Sequence, residues 1–386
     1  AIGAPNNDGN GTESGHVRVY QYSSDSWTQL GSDIDGEAAL NSSGGRRESV
    51  SLSADGKIVA IGEHGNDGNG ENSGHVRVYR YNGTSWNQLG EDIDGEAAGD
   101  YFGSSISLSS DGIRLAIGAR DNDGNGTDSG HVRVFQYSSN SWNQLGVDID
   151  GEDAGDALGS SVSLSSDGKK VGIAAAKNNG NGNLIGYVRT YSFNGTSWVK
   201  LGGDIDSFAS SVSLSSDGTI VAIGDSNNPT NSGHARIYSY NGTSWVQLGA
   251  DIDGEATNDY SGQSVSMSSD GYTVAVGAFG NNDNGNISGH VRIYSYNETS
   301  WTQLGADIDG ESASDNSGHS VSLSSDGTTL AIGAYGNDGN GVNSGHVRIY
   351  NLVKENKAPV ASNVSAATVK NTDASIHLVA SDVDFD

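Results

Sequence analysis

One hexapeptide pattern, Gly15-His16-Val17-Arg18-Val19-Tyr20, returns at residues 74–79, 130–135, 186–191, 233–238, 289–294 and 345–350. The steps between copies are 59, 56, 56, 47, 56 and 56 residues, and Trp27, Trp86, Trp142, Trp198, Trp245 and Trp301 keep the same steps. A period of this length marks one supersecondary unit per copy, and such units bury their faces only by stacking on one another. The 57 glycines fall at fixed places between β-patterned segments, so they read as turns rather than as low complexity.

Each unit holds four strand-like segments. In the best-preserved copy these are 104–109, alternating with period two and closed by Ser110-Asp111-Gly112; 115–119, small and apolar; 131–137, alternating again; and 141–146 around Trp142. Asn82-Gly83, Asn194-Gly195 and Asn241-Gly242 are hairpin signals between the third and fourth segments. No segment carries a helical pattern. Four short antiparallel strands per unit, repeated in series, predict an all-β fold, a β-propeller of four-stranded blades.

Counting the strands gives seven blades. Second and third strands occur seven times, first and fourth strands six times, so five blades are complete within the chain. The first blade is expected to be completed by a strand upstream of residue 1, and Leu352-Val353 is the candidate start of the last blade's fourth strand. The 47-residue step reflects a loop cut short after Asp204-Ile205-Asp206. Residues 1–350 form the propeller, 351–357 a linker, and 358–386 the opening of a further module.

Composition narrows the partners. There are 48 acidic against 20 basic residues, a formal charge of −28. That argues against nucleic acid, which requires basic patches, and no apolar run is long enough to insert in a membrane. The absence of cysteine removes disulfides, thiolate metal sites and cysteine nucleophiles.

At the level of motifs the chain resembles the FG-GAP repeat family, the propeller type found in integrin α-subunit heads and many microbial surface proteins. Phe102-Gly103 looks like the "FG" and Gly3-Ala4-Pro5 like the "GAP", followed by the Gly-x-Val-x-Val-Tyr strand; other copies decay to Gly118-Ala119-Arg120 and Gly333-Ala334-Tyr335. The resemblance covers residues 1–350. Calcium-binding members carry an Asp-x-Asp-x-Asp-Gly loop before the "GAP" strand. Here a short Ser-Ser-Asp-Gly turn stands there, as at 109–112 and 324–327, so that metal site does not transfer.

Two other acidic loops recur. Asp121, Asp123, Asn125 and Asp128 alternate oxygen side chains with glycine, a spacing that can wrap calcium or simply turn the chain. The second, Asp92-Ile93-Asp94-Gly95-Glu96 and its copies, can share a cation or cap the turn and meet the repeated arginines. Arg18, Arg77, Arg133, Arg189, Arg236, Arg292 and Arg348 stand mid-strand in every copy, and buried guanidiniums need carboxylates. His16, His75, His131, His234, His290 and His346 share their face, with Tyr187 in the fourth copy; separate blades make them a structural hydrogen-bond set rather than one metal centre. Arg46-Arg47 reads as a surface pair. The irregularities, the deletion near Ser207 and the loop from Asn227 to Thr230, carry no catalytic grouping, and no blade stands out as a site.

Nine Asn-x-Ser/Thr sequons occur, among them Asn82, Asn194, Asn241 and Asn297 in hairpin turns; they are glycosylation acceptors in a eukaryotic secretory protein and turn composition in a bacterial one. From Ala358-Pro359 to Asp386 the chain resembles the start of a cadherin-like or bacterial Ig-like module, in which Asp382, Asp384 and Asp386 are the candidate calcium ligands. The expectation is a non-enzymatic extracellular adhesion or surface-assembly protein, one part of a longer chain, meeting other proteins or glycans. The alternative is a lectin-like propeller with pockets between blades.

Overall fold

The computed structural model describes residues 1–45, 48–176, 186–228, 230–352, 360–361 and 380–381. Arg46-Arg47, the 178–182 loop, Val353, Asp382, Asp384, Asp386 and nearly all of the expected Ig-like module therefore lie outside the described residues. The described elements are all β-strands, and they form seven antiparallel blades arranged as a propeller.

Blade 3 shows how the repeat builds its unit. Its strands are Ser105–Leu108, Arg114–Ala119, His131–Ser138 and Ser141–Gln144, in that order across the sheet. Ser105 pairs with Gly118, Ala119 with His131, and Tyr137 with Trp142. The predicted segments thus fall within a residue or two of the observed strands. A fifth strand, Ile149–Asp150, stands where the sequence suggests a turn or a cation motif. It pairs with the start of the third strand, Ile149 opposite Val132 and Asp150 opposite His131. The outer edge of the blade is therefore made of two pieces, the tryptophan strand on one half of the third strand and Asp-Ile-Asp on the other.

The hairpin between third and fourth strands takes two forms. In blade 3, Ser139 and Asn140 have φ of 53° and 63°, the two-residue turn that matches strand twist. In blade 2 the Asn82 side chain accepts from the Thr84 and Ser85 amides at 2.9 Å, an Asx turn with Gly83 at φ 101°.

Second and third strands are present in all seven blades; blades 2 to 6 are complete, and among the described residues blade 1 lacks the first strand and blade 7 the fourth and fifth. Leu352 follows the third strand of blade 7, its amide donating to the Thr328 carbonyl.

Serine in the first strand does more than fit a crowded centre. Ser51 Oγ accepts the Leu108 amide of the next blade at 3.0 Å, and Ser107, Ser163, Ser213 and Ser266 do the same for Leu164, Leu214, Met267 and Leu323. At the rim, each Ser-Ser-Asp-Gly turn bonds main chain to main chain with the following one: Ala54 to Ser110, Ser110 to Ser166, Ser166 to Ser216, Ser216 to Ser269, and Ser269 to Ser325. Further out, the Trp142 indole donates to the Leu89 carbonyl of the preceding blade at 2.8 Å, and Trp86, Trp198, Trp245 and Trp301 repeat the contact.

Glycine is demanded where second strands meet the next blade. A Cβ on Gly118 would come within 2.2 Å of the Gly159 carbonyl oxygen, and Gly62, Gly224 and Gly277 face Gly103, Gly262 and Gly318 as closely. The apolar residues form clusters that bridge neighbouring blades, such as Ile106, Leu115 and Ile117 of blade 3 with Ile58, Val76 and Ile93 of blade 2. Burial between blades is the main favourable term holding them.

Candidate polar site between neighbouring blades

The third strand begins His-x-Arg, and period-two alternation puts both side chains on one face. The Asp-Ile-Asp strand lies beside that start, and the Glu that follows Asp-Ile-Asp-Gly in the preceding blade reaches it from across the joint. Each such joint thereby gathers one arginine, several carboxylates and one histidine, with Tyr187 in the histidine's place in blade 4.

The arginines engage carboxylates in two ways. Arg18 and Arg236 turn to an aspartate of their own blade, Asp33 at 2.7 Å and Asp251 at 2.9 Å. Arg133, Arg292 and Arg348 cross the joint to Glu96, Glu255 and Glu311 at 3.5, 3.3 and 3.5 Å, each also donating to the carbonyl of Asp94, Asp253 or Asp309. Arg189 does both, holding Asp204 at 2.8 Å and Glu152 at 2.9 Å. The shortened loop explains Arg236: it removes the glutamate that would reach across from blade 4.

Arg77 has a partner that lies outside the repeat pattern. Glu63, fully buried, binds the Arg77 guanidinium, lies 3.2 Å from His75 Nε2 and accepts from Asn41 Nδ2 at 3.0 Å. Burial pushes the Glu63 carboxyl up, and His75 and Arg77 more than offset it, leaving it below the usual glutamate value. Asp225 takes the equivalent place in blade 5, where its carboxylate accepts from the Phe208 amide of the shortened loop at 3.2 Å. The other copies have alanine at this position (Ala4, Ala119, Ala175, Ala278 and Ala334), so comparing the repeats column by column reveals both carboxylates.

Most of the histidines are buried, and they are unevenly satisfied. His131 Nδ1 is 3.9 Å from Asp148, and desolvation, reinforced by Arg133, holds its imidazole below the ordinary histidine value and hence neutral at pH 7. Among the described residues its Nε2, like that of His234, His290 and His346, has no hydrogen-bond partner. In the fourth copy Tyr187 donates its hydroxyl to Asp156 at 2.7 Å. Among the described residues, ligand atoms of His, Asp and Glu converge within 4.8 Å in four places: His16, Asp33 and Asp35; Glu37, His75 and Asp92; Glu96, His131 and Asp148; and Glu255, Asp283, His290 and Asp307. Each is a separate place on the ring.

The loop that can wrap calcium or simply turn the chain places its side chains as follows. Asp121 pairs with Arg120 at 3.3 Å, Asp123 Oδ1 accepts the Asp128 amide at 2.9 Å, and Asn125 Nδ2 donates to the Gly151 carbonyl. Asp121, Asp123 and Asp128 do not form one of the converging groups. Asn82, Asn194, Asn241 and Asn297 occupy exposed hairpin turns, their side-chain oxygens accepting amides two and three residues on.

Two open clefts lie beside this polar cluster. One, of about 410 Å³, is lined by Asp92, Asp94, Arg133, Phe135 and Trp142. Its counterpart, of about 330 Å³, is lined by Asp204, Asp206, Tyr238 and Trp245. Both combine an indole edge with carboxylates where one blade meets the next.

Comparison with known families locates the repeat. The FG-GAP repeat profile matches residues 93–135, 251–294 and 307–350, each match running from the Asp-Ile-Asp strand of one blade to the third strand of the next. No curated protein matches the chain. Three stretches of this chain match the FG-GAP repeat, and its seven antiparallel blades form a β-propeller.

Proposed function

We propose that the propeller is a non-enzymatic extracellular module for adhesion or surface assembly, a rigid unit that presents or spaces binding surfaces. What supports the reading is the use of the repeat's polar groups: Arg133, Arg189, Arg292 and Arg348 reach glutamates across the joint, and aspartates hold arginines within a blade. FG-GAP repeats are typical of extracellular and surface proteins, and a formal charge of −28 keeps the surface well solvated. Calcium at 121–128 and glycans on the hairpin asparagines belong to the same proposal. The test is localisation by surface labelling, together with binding of the purified chain to cells or matrix. Turnover of a glycoside, ester or peptide substrate that one point mutation abolishes would sink it.

A lectin-like role is the second reading, favoured by the paired clefts at Trp142 and Trp245. Indole faces and carboxylates are the groups that take the apolar face and hydroxyls of a sugar. Binding on a glycan array that Trp142→Ala and Trp245→Ala each reduce would favour it over assembly.

A further inference from the structure

We propose that the joint between blades 5 and 6 binds one divalent transition-metal cation, zinc or manganese, through Glu255, Asp283, His290 and Asp307. The four residues come from four separate stretches. Glu255 follows the short fifth strand of blade 5 (Ile252–Asp253), Asp283 lies in the loop before the third strand of blade 6 (His290–Tyr296), His290 opens that strand, and Asp307 precedes the fifth strand (Ile308–Asp309). Each offers one ligand atom, and the four atoms lie within 4.8 Å of one another. A four-coordinate zinc with bonds of about 2.0–2.2 Å draws its ligands closer than that. Glu255 and Asp283 are exposed, so the adjustment falls to them, Glu255 turning from its 3.3 Å contact with Arg292, while His290 opens a strand and Asp307 directly precedes one.

His290 supplies the independent sign of a ligand. It is fully buried, and among the described residues neither Nδ1 nor Nε2 has a hydrogen-bond partner; Nδ1 stands 3.6 Å from Asp307 Oδ2, too far for a hydrogen bond. A buried imidazole with both nitrogens unspent is costly, and a metal bond satisfies one of them. Asp307 is oriented for the same purpose, because Gln303 Nε2 holds its Oδ1 at 2.5 Å and leaves Oδ2 toward the ring.

Asp283 is what separates this joint from the others. The same column holds Gly9, Gly68, Gly124, Gly180 and Gly339 in the sequence, and the other converging groups have three donors where this one has four. Charge agrees. Three carboxylates against the Arg292 guanidinium, 3.3 Å from Glu255, leave two negative charges for a divalent ion to neutralise. One imidazole with carboxylates suits zinc or manganese, whereas calcium favours an all-oxygen shell. The ion would join a glutamate of one blade to three residues of the next and so staple the joint.

The experiment uses the full chain, stripped with chelator and titrated calorimetrically with Zn²⁺, Mn²⁺ and Ca²⁺ in separate runs. The expected result is one Zn²⁺ or Mn²⁺ per chain, with affinity falling on the order of a hundredfold in Asp283→Gly. That variant restores the residue five other repeats carry, so it keeps the fold, which circular dichroism checks. His290→Tyr, which copies Tyr187 of blade 4, should also lose the ion. No uptake, a preference for Ca²⁺, or uptake unchanged by Asp283→Gly would each overturn the proposal.

Discussion

Gly118→Ala should open the joint between blades 3 and 4. The new Cβ would stand 2.2 Å from the Gly159 carbonyl oxygen and 2.4 Å from Ser105 Oγ. A comfortable carbon–oxygen contact is about 3.3–3.6 Å, so one blade edge must retreat by roughly 1 Å. The serine can rotate, but the carbonyl belongs to the neighbouring main chain. Overpacking of this kind costs about 1–3 kcal/mol. Gly333 is the internal control. It holds the same column in blade 7, yet its nearest neighbours are all atoms of Ser320, with Oγ at 2.4 Å, and no following blade stands close among the described residues. Gly333→Ala should therefore cost less than about 1 kcal/mol once the hydroxyl turns away. Neither glycine needs a left-handed backbone, so the gain in strand entropy from alanine is common to both and cancels. Guanidinium unfolding followed by tryptophan fluorescence gives both losses, since the indoles report on the joints. Equal losses in the two variants would refute the idea that glycine is there to let blades meet.

Arg77→Ala leaves the Glu63 carboxylate buried without its guanidinium and should cost about 3–5 kcal/mol, much of it recovered in Arg77→Ala/Glu63→Ala, as a double-mutant cycle in urea would measure. Glu63 faces His75, Arg77 and Asn41, and its folded value lies below the ordinary 4.5. Its contribution is therefore complete above that pH and is lost as pH falls through the depressed value. Glu63→Gln should accordingly be less stable than the parent at pH 7 and show a flatter decline below about pH 4.5, read from melting at several pH values. Trp142→Phe removes the indole bond to Leu89 and should cost about 1 kcal/mol beyond the loss of area, whereas Trp27→Phe, at a half-exposed indole, should change little in the same unfolding assay.

Much of the fold was legible because the repeat restates each strand several times with its turn residues. Alternating Ser-x-Ser-Leu, Asp-Gly turns and His-x-Arg strands each carry a period-two signal. The fifth strand carried none: Ile149–Asp150 is two residues long, and its pairing with His131–Ser138 depends on a third strand that outruns the fourth. The polar joints were legible only in part. Arginine in every copy demanded carboxylates, but which ones depends on loop length and on single substitutions. Arg236 uses Asp251 because a loop is short, and Arg77 uses Glu63 because one alanine column became acidic. Reading for what recurs hides Glu63, Asp225 and Asp283, each of which is a departure. The expectation that no blade stands out was therefore incomplete, since a joint gains its character from one changed residue against a constant background.

The rim turns carry a consequence for how such a chain can diversify. Their links from Ala54 through to Ser325 are made by peptide groups, and alanine at 54 serves where the other copies have serine. This main-chain strand of the joint tolerates a change of side chain at the turn position, as Ala54 shows. One blade can then drift or specialise while its neighbours keep their grip, and novelty can be acquired locally without renegotiating the ring.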